Sequence, residues 1–129
     1  MSRLLPDTHM LIWLADDSPD LPRTAANLLR SEENDVFFSL ASIWEISIKF
    51  AFRKPHFVVD PRTLRKGLLG IGFNELPITG EHVIGVSQLP DIHRDPFDRL
   101  LVAQAKVEGM VLMTTDKKLA QYGPHVKRF

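Results

Sequence analysis

The chain has no cysteine, no excess of either charge and no apolar stretch long enough to cross a membrane. Without cysteine there is no disulfide framework, no thiolate-ligated zinc and no thiol nucleophile. Sixteen Lys and Arg balance sixteen Asp and Glu, so no global field attracts a polyanion and any nucleic-acid contact must come from local charge. The densest early apolar run, Met10 to Ala15, is far short of the roughly 20 residues of a membrane span. The opening residues reach Asp7 too soon for the apolar core of a signal peptide, so a cytoplasmic protein with no membrane association is expected. Phosphate-binding loops, dinucleotide fingerprints and the serine-nucleophile elbow are also missing. So are internal repeats, low-complexity tracts and linkers, and residues 1–129 read as one domain large enough to form a core unaided.

Short apolar runs alternate with helical spacings. Leu4-Leu5 reads as a strand ending at Pro6-Asp7, followed by a helix from Thr8 to Ala15. Pro22 suits a first helical turn, and Ala25, Ala26, Leu28 and Leu29 carry that helix to about Glu33. Val36-Phe37-Phe38 is a strand, and Leu40 to Phe52 is a helix apolar nearly all round, hence expected to be mostly buried, with Lys54-Pro55 as its stop. Trp13, Trp44, Phe50 and Phe52 are expected in the core. Pro61 to Leu69 reads as a short basic helix, Phe73 to Ile78 as an edge strand limited by Pro77, and Glu81 to Leu89 as a helix. After the polar turn Pro90 to Arg94, Asp95-Pro96 opens a helix to Glu108 with Gly109 just past its end. A strand at Met110 to Thr114, a short helix to Tyr122 and a last strand at His125 to Phe129 follow. Strands alternating with helices predict an α/β fold whose parallel sheet is covered on both faces.

In such a sheet the carboxyl ends of the strands share one rim, where ligands bind. Asp7 and Asp116 each follow a strand, Glu45 lies about two turns into the helix leaving the second strand, and Asp98 lies in the first turn of its helix. Four carboxylates on one rim repel, which raises their affinity for protons or calls for a cation. A hard divalent ion such as magnesium or manganese is served by a few Asp and Glu ligands and can generate a water nucleophile beside a phosphate, so metal-assisted phosphodiester hydrolysis suits the pattern best. Taken singly, the same residues have simpler readings. Asp7, Asp95 and Asp116 sit at helix N-cap positions, and Asp98 is favourable in a first turn. Ser42-Ile43-Trp44-Glu45 matches a capping box, with Glu45 and Lys49 spaced as a helical ion pair. An acid on so apolar a helix as Glu45's needs a partner, which favours function for that residue. His9 could contact substrate or simply pack, and His56, His93 and His125 make no recognisable metal spacing.

The segments PDTHMLIWLA (Pro6 to Ala15), SLASIWEISIK (Ser39 to Lys49), HRDPFDRLLVAQA (His93 to Ala105) and TTD (Thr114 to Asp116) resemble, in order, the signatures of PIN-domain proteins. They look most similar to VapC-type ribonuclease toxins of bacterial toxin–antitoxin pairs. The resemblance implies a three-layer α/β/α sandwich with a mainly parallel central sheet. It also implies Mg2+- or Mn2+-dependent endoribonuclease activity, homodimerisation, and inhibition by a cognate antitoxin whose C-terminal segment occupies a groove of the toxin. By motif, the catalytic and metal-binding acids fall on Asp7, Glu45, Asp98 and Asp116. Asp95 is left as cap or auxiliary acid, and Thr115 as a residue that helps hold water or phosphate. One departure from the pattern is Leu119, where an aromatic residue is expected after the last acid, a difference of packing. PIN domains also act in RNA processing outside toxin pairs, and the short chain favours the toxin reading.

The neutral total hides segregation. Lys49 to Lys66 holds six bases and one acid, Asp16 to Asp35 six acids and two bases, and Lys117 to Phe129 four bases and no acid. Lys49 and Arg99, next to two of the acids, are candidate phosphate or antitoxin contacts. Two rivals from other classes are a non-catalytic partner-binding domain with the acids as caps, and a phosphoacceptor signalling domain. The second wants paired acids after the first strand, whereas Asp16-Asp17 lies beyond the first helix.

Overall fold

Five strands and seven helices follow one another in the computed structural model, which describes residues 2–52 and 57–129. They are β1 (Arg3–Pro6), α1 (Thr8–Ala15), α2 (Arg23–Arg30), β2 (Asp35–Ser39), α3 (Leu40–Ala51), α4 (Pro61–Gly70), β3 (Asn74–Leu76), α5 (Gly80–Val86), α6 (Pro96–Glu108), β4 (Val111–Thr114), α7 (Lys117–Ala120) and β5 (Val126–Arg128). The sheet order is β3-β2-β1-β4-β5, and every neighbouring pair is parallel. β3 stands at an edge, where the missing N–H of Pro77 costs no ladder bond.

Alternation along β1 divides the core between the two sheet faces. Leu5 points with its register partner Leu112, and with Val126, towards the buried stripe Leu100–Ala105 of α6. Leu4 points the other way with Val36 and Met113, against Met10 of α1 and Ala25, Ala26 and Leu29 of α2. On that same side Phe38 packs with Leu11, with Ile46 of α3, and with Leu64 and Leu68 of α4. Helices on both faces of one parallel sheet make the three-layer sandwich expected.

Several boundaries differ, each through a local bond. α2 stops at Arg30 instead of Glu33 because Ser31 turns extended and its hydroxyl accepts the Glu33 N–H. α5 runs Gly80–Val86 instead of Glu81 to Leu89: Thr79 and His82 form a capping box at its start, and the Ser87 hydroxyl closes its end on the Ile84 carbonyl. α7 ends at Ala120 instead of Tyr122, and β4 and β5 are each shorter than read. The capping box read at Ser42 does not form. Ser39 caps α3, and Ser42 is fully buried, its hydroxyl accepting the Thr8 hydroxyl at 2.9 Å.

α3 is also not buried all round. Trp44, Phe50 and Phe52 are 54%, 40% and 75% exposed, so the core placement holds for neither that tryptophan nor the two phenylalanines, while Trp13 packs against the α2 side of the core. Trp44 meets Phe97 edge to face across the α3–α6 contact, at 4.9 Å between ring centres. The stop read at Lys54-Pro55 and the histidine at position 56 lie outside the described residues.

Candidate active site

β1 and β4 are hydrogen-bonded neighbours, so their carboxyl ends deliver Asp7 and Asp116 side by side. Both acids cap helices as their positions predict. Asp7 Oδ1 accepts the Met10 N–H at 3.0 Å and Asp116 Oδ1 the Lys118 N–H at 2.8 Å. A single hydroxyl ties the two acids together: Thr114 donates to Asp7 Oδ2 at 2.7 Å and accepts the backbone N–H of Asp116 at 3.0 Å. Thr115, the threonine expected to assist, lines the same cleft, but the bonds belong to its buried neighbour Thr114.

Asp98 arrives from the first turn of α6, where Asp95 accepts the N–H groups of Phe97 and Asp98 as N-cap. Asp7, His9, Trp13, Asp98, Thr115, Asp116 and Leu119 line one cleft of about 280 Å³. Glu45 reaches the same group of charges from the second turn of α3 and is 8% exposed. Its Oε2 is 3.2 Å from Lys49 Nζ, whereas its Oε1 is buried and bonded to nothing, alone in that among the described side chains.

The electrostatics follow from this crowding. Burial, followed by the charges of Asp95, Asp7 and Glu45, pushes the Asp98 carboxyl up to about 7. Burial likewise raises Asp7, against the opposing bonds from Met10 and Thr114. Burial works upward on Asp116 too, but the Lys118 N–H and His93 outweigh it and leave that carboxyl below its ordinary range. A rim where one acid resists ionisation and another has an orphaned buried oxygen is short of positive charge. Its donors are carboxylates, which fit a hard divalent cation.

Of the remaining residues singled out by sequence, Lys49 is engaged with Glu45 and lines an adjoining cleft with His9 and Thr8. His9 is exposed and lies beside Trp13. Arg99 is already engaged within the chain. Its guanidinium donates to the carbonyls of Val86, Pro90 and His93 and to the Tyr122 hydroxyl, so it braces the turn before α6 and is not among the residues lining the cleft. His93, set aside for want of a metal spacing, is the residue sequence reasoning missed: its Nε2 lies 3.0 Å from Asp116 Oδ2 and 3.7 Å from Asp98 Oδ2. The only sequence signal was its place two residues before the Asp95-Pro96 cap.

An all-parallel sheet with acids gathered on its carboxyl rim defines an α/β domain with a candidate acidic site at the place where such sheets bind ligands. The PIN domain family model matches residues 4–123, so the chain belongs to the PIN-domain family, whose members are generally nucleases. Among solved structures, a chain of the VapBC2 complex of Rickettsia felis, bound to a DNA fragment from its promoter, is 12% identical with a TM-score of 0.73, covering 98% of both chains. A toxin–antitoxin complex from Klebsiella pneumoniae gives 21% identity and 0.65 over 96% of this chain and 95% of that one. FitAcB from Neisseria gonorrhoeae gives 20% and 0.62 over 90% and 89%. No curated protein matches the chain.

Proposed function

We propose that this protein is a Mg2+- or Mn2+-dependent endoribonuclease and acts as the toxin of a toxin–antitoxin pair. The observation that carries the metal chemistry is the Glu45 Oε1 atom, buried without a partner on a side chain whose charge is felt by both Asp7 and Asp98. Family membership supports the nuclease class. Structural likeness over nearly the whole chain to chains of VapBC2 and the Klebsiella toxin–antitoxin complex supports the toxin role and a cognate antitoxin, and a homodimer is proposed with them.

Asp7, Asp98 and Asp116 would hold the ion, with Glu45 orienting the attacking water or completing a second position. When bound, the ion lowers the pKa of a coordinated water and offsets the charge developing on the phosphate. The chain's own residues prepare for this. Thr114 keeps an Asp7 oxygen and the Asp116 backbone in fixed relation, Lys49 engages one oxygen of Glu45 and leaves the other without a partner, and Asp98 would give up its proton in favour of a cation. With the ion supplying an activated water as nucleophile, hydrolysis would not require the RNA 2′-hydroxyl to attack.

The experiment is cleavage of a structured RNA by purified protein. Cleavage should require magnesium or manganese, stop on chelation and fall by at least about a hundredfold in Asp7→Asn. Cleavage that persists in chelator overturns the proposal.

A further inference from the structure

His93 is the polar side chain of the rim that the four acids leave unexplained, and its ring is held from both sides. Its Nδ1 accepts the backbone N–H of Asp95 at 3.1 Å, while Nε2 faces Asp116 Oδ2 at 3.0 Å. A backbone N–H can only donate, so Nδ1 keeps its lone pair and the ring proton resides on Nε2. The ligand atoms of His93, Asp98 and Asp116 lie within 4.8 Å of one another and by distance alone would pass for a mixed nitrogen and oxygen metal site. A protonated Nε2, however, has no lone pair to offer an ion.

The turn ahead of α6 is built to keep the ring this way round. The His93 N–H donates to the Tyr122 hydroxyl at 2.9 Å, and the His93 carbonyl accepts from Arg99 at 3.3 Å. Tyr122 is buried, and Arg99 is anchored further on Val86 and Pro90. Moving the proton to Nδ1 would set it against the Asp95 N–H, donor to donor, and lose that bond.

We propose that His93 is a positioning residue that acts through Asp116: its Nε2–H fixes Oδ2 towards Asp98 and, by withholding a nitrogen ligand, leaves an all-oxygen site of the kind that suits hard divalent cations. The other oxygen of Asp116 is committed to the Lys118 N–H, so Oδ2 must serve both His93 and the ion, which its two lone pairs allow. The usual order of metal, histidine and supporting carboxylate is here reversed. This inference rests on the metal-site reading proposed above.

The test uses the full chain, labelled with nitrogen-15, in long-range proton–nitrogen spectra of the histidine rings with and without magnesium. Alongside it, manganese and zinc are titrated calorimetrically into wild type, His93→Gln and His93→Ala. The expected result is an Nε2–H tautomer for His93 in both states. Gln, which keeps an amide donor at similar reach, should bind manganese within about twofold of wild type, and Ala about tenfold more weakly, the usual scale for loss of a supporting bond. Zinc affinity should not drop more than manganese affinity in either variant. An Nε2 that loses its proton when magnesium binds, or a Gln variant as weak as Ala, would overturn the role given to His93 while leaving the metal site standing. No manganese binding by wild type would overturn both.

Discussion

At the scale of single residues, Asp98 stands where burial first, and its acidic neighbours second, oppose its charge. Its carboxyl is pushed up to about 7 in the fold, against about 3.9 in an unfolded chain. Between those values the unfolded chain has released a proton that the fold still holds, so stability falls as pH rises from about 4 to about 7, and the full penalty remains above that. Asp98→Asn removes the penalty. The melting temperature of the metal-free protein should rise by about 5 °C at pH 8 and hardly at all at pH 4, as thermal denaturation would show. A gain of equal size at both pH values would mean that the acid cluster is not its source. Thr114 works in the opposite sense, since its hydroxyl satisfies buried Asp7 and the Asp116 N–H together. Thr114→Val keeps the shape and strands both groups, and urea denaturation should show a loss of about 1–3 kcal/mol.

At the scale of elements, the start of α6 combines two functions that substitution can separate. Asp95 caps the helix through two N–H groups and adds to the charge that raises Asp98. Asp95→Ala should cost about 1 kcal/mol of stability through the lost cap. Asp95→Ser keeps a capping oxygen but removes the charge, so the pH midpoint of manganese binding should move down with little loss of stability. Calorimetric titrations over a pH series would show it.

This cap was legible because Asp-Pro states it locally, and the caps at Asp7 and Asp116 were legible because each is an Asp standing between an apolar strand and a helical pattern. The cap of α3 was not, because Ser42 follows the capping-box pattern yet is taken by Thr8, thirty-four residues away. Arg99 misled in a related way. Adjacent to Asp98 in sequence, it leaves the helix about 100° round and reaches the preceding turn instead of the cleft. His93 lies in that irregular turn, where no periodicity points to a direction, and the strand order that joins Asp7 to Asp116 is a long-range property no local pattern contains.

For the whole molecule, the zero net charge resolves into a sheet rim that carries an excess of acid and a remainder that carries the matching excess of base. A divalent ion that binds only the folded chain adds stability by mass action, about 2.7 kcal/mol at a hundred times its dissociation constant. Magnesium should therefore raise the melting temperature, and by more at pH 8 than at pH 5.5, where Asp98 keeps its proton. Scanning fluorimetry at both pH values would check the ordering, and an equal rise at both would count against the rim as the binding place.

The interleaved sheet has one more consequence. A break at Gly72, between α4 and β3, would part Asp7 and Glu45 from Asp98 and Asp116. The later piece would hold β3 and β4, which in the sheet lie on opposite sides of β2 and β1 from the earlier piece. Neither half can build the rim, since the strands that would bring its acids together belong to the other. Each fragment would hold two of the four carboxylates, and only their reunion around the shared sheet would restore all four to one place.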